Sequence, residues 1–130
     1  MVESDLPILR EIKYFKEAEF QKAQPSCSMS QMDLSFLERL DKARELAGIP
    51  FVINSAYRSK EYERENGRDG TSAHCFGLAV DIRAVSSQSR MKVLRGCIQA
   101  GFNRIGIGAT FIHVDDSWFH PQDVCWLYKE

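Results

Sequence analysis

Two of the three histidines in this chain stand near carboxylates at spacings that suit a metal site. His74 stands seven residues before Asp81, and His113 stands two residues before Asp115. Two imidazoles and one carboxylate are a ligand set that zinc accepts, and three protein ligands leave the fourth tetrahedral position to water. Structural zinc sites more often fill all four positions with Cys and His. The sequence therefore predicts an open, catalytic type of zinc site formed by His74, Asp81 and His113.

Strand periodicity explains how these three ligands can meet. Side chains alternate between the two faces of a strand, so Gly77, Ala79 and Asp81 share one face. The two small residues leave room beside the carboxylate for an ion and a water molecule. If this strand lies next to the strand that carries the second histidine, both histidines can meet Asp81 around one ion.

The elements that would position this site follow from apolar periodicity and from Gly and Pro breakers. Helices are predicted over 30–47, with Ser30 as N-cap, and from 86 or 87 to 100, with shorter pieces over 7–12 and 17–23. Strands are predicted over 51–54, 77–84, 104–108 and 111–115, the last two joined by a tight turn at 108–110. This order predicts an α+β fold with a small, largely antiparallel sheet and helices packed on one face.

Length and composition indicate a single domain over 1–130, because 130 residues, 44% of them hydrophobic, suit one core. The core is expected at about 30–116, with 1–29 and 117–130 as flanking segments. The tail is expected to fold back as a lid or packing flap, or else to offer a partner surface, through Trp118, Phe119, Trp126 and Tyr128. The four cysteines form no C-x-x-C pair and are expected to be free and mostly buried.

Charge and hydropathy argue against two classes of partner. Lys and Arg number 17 against 18 for Asp and Glu, so no basic surplus points to nucleic acid. No stretch approaches the roughly 20 apolar residues of a membrane span, so no membrane partner is expected. The N-terminus has acids near its start and no continuous apolar segment, so we expect no signal peptide and a protein that is cytoplasmic as synthesised. These features leave the oligomeric state open.

Three sequence blocks resemble the D-alanyl-D-alanine carboxypeptidase family, peptidase family M15. The blocks are SAYRS at 55–59, S-x-H-x-x-G-x-A-x-D at 72–81 and FIHVD at 111–115. They occur in the family's order, and the resemblance covers roughly residues 30–115. It is closest to the short, often phage-associated, endolysin-like members. The hedgehog signalling domain is a distant relative with a similar zinc site.

The resemblance implies a zinc-dependent peptidase that cuts peptidoglycan stem peptides at D-Ala-D-Ala or L-Ala-D-Glu bonds. His74, Asp81 and His113 match the family's zinc ligands, and Arg58 matches an arginine near the substrate or the developing oxyanion. A guanidinium suits that role because it presents a fixed fork of donors to a carboxylate or oxyanion. A surface salt bridge is the alternative for Arg58. Ser72 can offer its hydroxyl to a substrate, or can be a turn residue that bonds its own backbone.

One position departs from the family pattern. Members often carry Glu or Asp as general base three residues before the last zinc histidine, where this chain has Thr110, which cannot do that job. Asp115 shares a strand face with His113, so it is predicted either to act as the base or to orient His113 from behind. Asp116 and His120 are weaker candidates, and His120 is expected to be an ordinary tail residue.

The sequence thus predicts an enzyme, a zinc metallopeptidase of the cell wall, of carboxypeptidase or endopeptidase type. Zinc-activated water would attack an amide carbonyl, and zinc and Arg58 would stabilise the oxyanion. The partner is a peptidoglycan peptide, reached if the protein is released or exported. Two alternatives stay open. One is a non-catalytic zinc-binding module for cell-wall peptide or a protein partner, which Thr110 favours; the other is a phage structural component that zinc stabilises.

Overall fold

The computed structural model describes residues 12–129, and all but Ile12 of the helical piece predicted over 7–12 lies outside them. The described chain forms four α-helices, two short 3₁₀ helices and a five-stranded sheet. The α-helices are α1 (Glu17–Gln21), α2 (Leu34–Ala47), α3 (Lys60–Glu65) and α4 (Ser87–Gln99). The 3₁₀ helices are Met29–Gln31 and Ala73–Phe76. The strands are β1 (Ile53–Ser55), β2 (Ala79–Arg83), β3 (Arg104–Ile107), β4 (Phe111–Asp115) and β5 (Val124–Leu127).

The strands of the sheet lie in the order β1-β2-β4-β3-β5. Neighbouring strands are antiparallel, except for β3 and β5, which are parallel. Strand β2 pairs along its whole length with β4, so that Asp81 lies opposite His113 and Ile82 lies opposite Ile112. The predicted α+β fold with a largely antiparallel sheet is therefore confirmed. The adjacency of the two strands that carry Asp81 and His113 is confirmed as well.

Helix α2 begins later than the sequence predicts. Its N-cap is Asp33, whose Oδ2 accepts the backbone N–H of Phe36 at 2.9 Å. Ser30 lies instead in the first 3₁₀ helix, which Ser28 caps. A carboxylate at the N-cap satisfies a free N–H and also interacts favourably with the helix dipole. The helix ends as predicted at Gly48, which adopts the left-handed conformation with φ 73°.

The core lies on one face of the sheet. Val80 and Ile82 from β2, with Ile112 and Val114 from β4, are at most 1% exposed. Helices α2 and α4 pack against each other and contribute their buried apolar residues to the same cluster. The two long helices thus cover this face, as predicted. The opposite face of β2 and β4 carries Asp81, His113 and Asp115.

Both segments that were expected to flank the core contribute to the fold. From the first segment, Phe15 and Phe20 are buried in the core cluster. From the last segment, β5 extends the sheet beside β3. The tail therefore does more than fold over the surface, because part of it is a strand of the sheet.

Most of the cysteine side chains lie in the interior of the described structure. All four cysteines are free, three are buried, and Cys125 is exposed. Burial raises the pKa of the Cys97 thiol to about 12, so this thiol stays protonated and unreactive.

Within residues 12–129, every helix is too short or too polar to cross a bilayer.

Candidate metal centre

The three predicted ligands come together on the polar face of the sheet. His74 lies in the second 3₁₀ helix, Asp81 in β2 and His113 in β4. One ligand atom from each residue lies within 4.8 Å of the other two. Asp81 Oδ1 is 2.9 Å from His113 Nδ1 and 3.4 Å from His74 Nε2, and the two histidines are only 3% and 5% exposed. Three separate elements therefore assemble a group that can hold a metal ion.

Hydrogen bonds behind the two imidazoles leave one nitrogen of each ring facing Asp81. The Nδ1–H of His74 donates to the carbonyl oxygen of Ala56 at 2.6 Å. The Nε2–H of His113 donates to Asp115 Oδ2 at 2.7 Å. Histidines that bind metals usually donate their other N–H in this way, which fixes the tautomer and the orientation of the ring. The donor atoms left over are those that a metal ion needs.

Asp115 is buried behind His113 and has no free oxygen. Its side chain is 1% exposed. Oδ2 accepts the His113 bond, while Oδ1 accepts Arg104 Nε at 2.6 Å and the backbone N–H of Ser117 at 2.9 Å. Arg104 also donates to the carbonyl oxygen of Pro121, in the turn before β5. The carboxylate thus ties β4, β3 and the following turn to one side of the His113 ring.

Arg58 is held by three protein partners. Its Nε donates to Ser55 Oγ at 2.9 Å, its Nη1 to Glu63 Oε2 at 3.4 Å and its Nη2 to Asp81 Oδ2 at 3.1 Å. Only 16% of the Arg58 side chain is exposed. Because Arg58 occupies Oδ2 of Asp81, Oδ1 is the oxygen that faces the histidines. Arg58 therefore orients Asp81 from behind and is not a free surface cation.

Glu63 in α3 anchors Arg58 from the interior. Its side chain is fully buried at 0% exposure, and its Oε2 also accepts Arg68 Nη2 at 2.7 Å. Glu63 Oε1 is buried without a hydrogen-bond partner. Burial would raise the pKa of Glu63, but the bond from Arg68 and the charges of both arginines lower it. An ionised Glu63 thus connects Arg68 at the surface with Arg58 and, through it, with Asp81.

The charges at the centre favour a bound cation. Burial alone would raise the pKa of Asp81, but its contacts with His113 and His74 hold it well below its usual range. Burial lowers the pKa of His74 and keeps its ring neutral near pH 7. Burial would also lower the pKa of His113, yet the bonds to Asp115 and Asp81 outweigh it and raise that pKa. The ionised Asp81 thus supplies a negative charge among the ligand atoms, while Arg58 and Arg104 pair with the outer oxygens of Asp81 and Asp115.

An aromatic wall, formed by Trp126 and Tyr128, stands beside His113. Gly106 lies opposite His113 in β3 and pairs with Trp126 in β5. A Cβ on Gly106 would lie 2.6 Å from both Trp126 Nε1 and Tyr128 Cε2, so a larger residue would push the rings away. The ring centroids of Trp126 and Tyr128 are 5.4 Å and 6.2 Å from that of His113. The glycine therefore lets the C-terminal segment border the candidate centre.

Other residues singled out from the sequence lie outside the ligand group. Ser72 caps the second 3₁₀ helix, because its Oγ accepts the backbone N–H of His74 at 3.1 Å. This contact agrees with the turn role, and a contact of Ser72 with substrate stays a prediction. Thr110 is exposed in the turn between β3 and β4. His120 places Nδ1 2.6 Å from Ser117 Oγ and is not among the ligands.

Sequence reasoning missed Glu63 and Arg104. It expected Trp126 and Tyr128 to fold back in the tail but did not place them beside His113. Glu63 lies in a stretch of alternating charges that is typical of a solvated loop or helix, so nothing in the pattern indicates its burial. Arg104 carries a usable signal, since strand alternation places it on the same face as Gly106. Trp126 carries no such signal, because its place beside His113 depends on the parallel pairing of β5 with β3.

Comparison with known protein families gives one result. The family model for peptidase M15 matches residues 13–115. The match contains all three residues of the ligand group and ends at Asp115, so that β5 and the aromatic wall lie beyond it. No curated protein matches the chain significantly.

Proposed function

The chain belongs to the peptidase M15 family, and we propose that it is a zinc-dependent peptidase that hydrolyses peptidoglycan stem peptides. The bond would be of the D-Ala-D-Ala or the L-Ala-D-Glu type, which makes the protein a carboxypeptidase or an endopeptidase of the cell wall. The observation that carries the proposal is the meeting of His74, Asp81 and His113, from three separate elements within the matched span.

Zinc is the metal that suits this donor set. Two imidazole nitrogens and one carboxylate oxygen are typical of catalytic zinc sites, whereas magnesium and calcium prefer oxygen ligands alone. The ligand atoms would be His74 Nε2, His113 Nδ1 and Asp81 Oδ1, since the partner atoms on the same side chains are already hydrogen-bonded. Bound zinc supplies a Lewis acid and activates water for attack on an amide carbonyl.

For Asp115, we propose that it positions His113. A general base must come within hydrogen-bond reach of the water from which it takes a proton. Asp115 is 1% exposed. Its Oδ2 accepts the His113 Nε2–H, which points away from Asp81, and its Oδ1 accepts Arg104 Nε and the Ser117 N–H. The sequence left the base and the positioning role open, and these contacts support positioning.

For Arg58, we propose two roles, one towards Asp81 and one towards the substrate. One N–H of Nη2 holds Asp81 Oδ2, which keeps Oδ1 turned towards the histidines. Each Nη of a guanidinium carries two N–H groups. A second N–H of Arg58 therefore remains to meet a substrate carboxylate or the oxyanion of the reacting amide.

Digestion of defined stem peptides, with products identified by mass, tests the proposed activity. The zinc-loaded protein should cleave one bond, chelated protein should cleave none, and added zinc should restore cleavage. The mass of the products distinguishes D-Ala-D-Ala from L-Ala-D-Glu cleavage. His120→Ala is a matched control, because His120 lies outside the ligand group, and it should still cleave. A zinc-loaded protein that cleaves none of the peptides contradicts the proposal.

A non-catalytic zinc-binding module is the second candidate. It is favoured by two features together, the exposed Thr110 at the position where members often have an acid and the fully engaged oxygens of Asp115. Such a module would bind purified cell wall without releasing peptide. A zinc-stabilised phage structural component, the third candidate, would hold zinc and neither bind nor cleave the wall. Pull-down on insoluble wall, with analysis of released peptide, separates all three candidates.

A further inference from the structure

A concave site is lined in part by the segments that support the candidate metal centre. It is a cavity of about 590 Å³ between the first half of α2, the loop before β3 and the turn after β4. None of His74, Asp81 and His113 lines it. Its volume lies in the range of small-molecule sites, about 300–1,000 Å³. The cavity is therefore large enough for a small ligand, and its lining is separate from the metal ligands.

One side of this cavity is an aromatic rim, formed by Phe76, Trp118 and Phe119. The three side chains are 45%, 79% and 38% exposed. The ring centroid of Phe119 lies 4.9 Å from that of Phe76 and 4.9 Å from that of Trp118, both in edge-to-face geometry. A cluster of large exposed rings costs solvation free energy unless something covers it, so such clusters mark contact sites.

The cavity also has a polar side, which carries Arg39, Asn103 and Asp116. Arg39 Nε lies 3.2 Å from Asp116 Oδ2, so these two charges largely offset each other. Asn103 is exposed and can both donate and accept a hydrogen bond. Asp33 also lines the cavity, where it caps α2. The polar side therefore offers several donors and acceptors with a slightly negative balance of charge.

The aromatic rim is built from the segments that support the metal centre. Phe76 belongs to the 3₁₀ helix that carries the first proposed ligand. Phe119 packs 4.8 Å from the ring of His120, and His120 contacts Ser117 Oγ at 2.6 Å. The backbone N–H of Ser117 donates in turn to Asp115. The cavity and the candidate metal centre therefore share two supporting segments, the 3₁₀ helix Ala73–Phe76 and the turn after β4.

We propose that this cavity binds a pyranose unit of the glycan strand to which the stem peptide is attached. A pyranose ring has an apolar face of C–H groups and a circumference of hydroxyl groups. Its face can lie against an aromatic ring while its hydroxyls bond to amide, guanidinium and carboxylate groups. The aromatic rim and the polar side supply these two kinds of contact within one cavity. The inference rests on the proposed function, because the sugar belongs to the same substrate.

The chemistry of the cavity disfavours other ligands of similar size. Two carboxylates, Asp33 and Asp116, against the single cation Arg39 repel a phosphate or a free carboxylate. A wholly apolar ligand would take Arg39 and Asp116 out of water without replacing their lost hydrogen bonds. A neutral ligand with an apolar face and polar edges satisfies both sides.

Titration calorimetry with a β-1,4-linked tetramer of N-acetylglucosamine, which carries no peptide, tests the inference. The wild-type protein should bind the tetramer, and Trp118→Ala should weaken binding about tenfold through the loss of a stacked ring. Asn103→Ala should weaken it as well, by removing an amide partner. Met91→Ala is the matched control, because Met91 is also an exposed apolar residue, at 56%, but lies on α4 away from the cavity. This control should bind as the wild type does.

Tryptophan fluorescence adds a readout that locates the sugar. The chain has two tryptophans, so Trp126→Phe leaves Trp118 as the sole emitter. The tetramer should shift this emission to shorter wavelength, because the sugar excludes water from a ring that is 79% exposed. In Trp118→Phe, the remaining emission of Trp126 should not change. Binding without any change in Trp118 emission overturns the assignment to this cavity.

The results separate this inference from the proposed function. Cleavage of free stem peptides together with no tetramer binding overturns the glycan site alone. Tetramer binding that Trp118→Ala weakens, together with no peptide cleavage, supports the glycan site and contradicts the peptidase activity. Tetramer binding that Trp118→Ala and Asn103→Ala leave unchanged also overturns the inference, since the sugar would then sit elsewhere.

Discussion

The two faces of the central strands β2 and β4 are stabilised by different interactions, apolar packing on one face and polar contacts on the other. On the face covered by α2 and α4, Ile82 and Ile112 are at most 1% exposed among apolar neighbours. On the other face, their chain neighbours Asp81 and His113 approach to 2.9 Å and bond to charged groups behind them. The first face requires side chains of the right volume, whereas the second requires particular atoms at particular distances.

This difference indicates that folding and metal binding can be altered separately within one pair of strands. Alternation assigns each successive residue to one task or the other. A substitution on the helix-covered face should change the free energy of unfolding and leave the metal in place. A substitution on the polar face should change metal affinity and leave most of the packing intact.

The largest expected effect is loss of the metal from the double variant His74→Ala, His113→Ala. Wild-type protein should contain about one zinc per chain, because a site with three good ligands retains zinc through purification. The double variant should contain none above background, and its peptide cleavage should fall to the level of buffer. Elemental analysis is the measurement, with His120→Ala as control. Stoichiometric zinc in the double variant would show that these histidines are not the ligands.

The companion substitution on the other face is Ile112→Ala. It removes a fully buried side chain next to His113 in sequence, so it should lower the free energy of unfolding by about 2–5 kcal/mol. Its zinc content should stay at that of the wild type. Denaturant unfolding and elemental analysis on the same preparation measure both quantities. Loss of zinc from the folded variant would mean that packing on the helix-covered face and metal binding on the polar face are coupled.

Removal of the metal should lower the melting temperature. A ligand that binds only the folded state stabilises it, by about 2.7 kcal/mol when free zinc is 100-fold above its dissociation constant. For a chain of this length, such a change corresponds to roughly 10 °C. Calorimetry before and after chelation measures the shift, and readdition of zinc should reverse it. An unchanged melting curve after verified removal would argue against a site that links the 3₁₀ helix, β2 and β4.

Asp115→Asn tests the support behind His113. The amide keeps the size of the side chain but loses its charge, so zinc affinity should fall by about 10–100-fold. Excess zinc should then restore much of the cleavage. Competition with a chelating dye measures the zinc affinity. Peptide cleavage at several zinc concentrations shows whether excess zinc restores the activity. If turnover instead falls sharply at full zinc occupancy, Asp115 acts as the general base.

The smallest of these effects is expected for Arg58→Lys. The three N–H donors of lysine are on one nitrogen, which cannot span Ser55, Glu63 and Asp81 as the guanidinium does. Asp81 should therefore be held less firmly, and zinc affinity should fall about tenfold. Arg68→Lys is the matched control, since Arg68 bonds Glu63 but does not contact Asp81. Its zinc affinity should change less. If Arg58→Lys loses cleavage but keeps its zinc affinity, Arg58 acts on the substrate and does not support Asp81.

Local patterns predicted much of the framework correctly. Alternation along 111–115 placed Ile112 and His113 on opposite faces, and β4 has these bounds. The breaker Gly48 ended α2 as expected. The start of α2 was misplaced at Ser30, because several residues before the helix can cap it and the choice depends on where the preceding chain packs. Element boundaries of this kind are decided by tertiary contacts.

By itself, the sequence determined which residues can bind a metal and which face of each strand they share, since residue type and alternation are local properties. Only the tertiary structure decided what stands behind those residues. Glu63 is buried behind Arg58, five residues away in the chain, and Trp126 approaches His113 from 13 residues away. Neither spacing corresponds to the period of a helix or a strand. The reason is physical: a hydrogen bond or a ring contact depends on distance in space, and folding sets that distance through the packing of the whole chain.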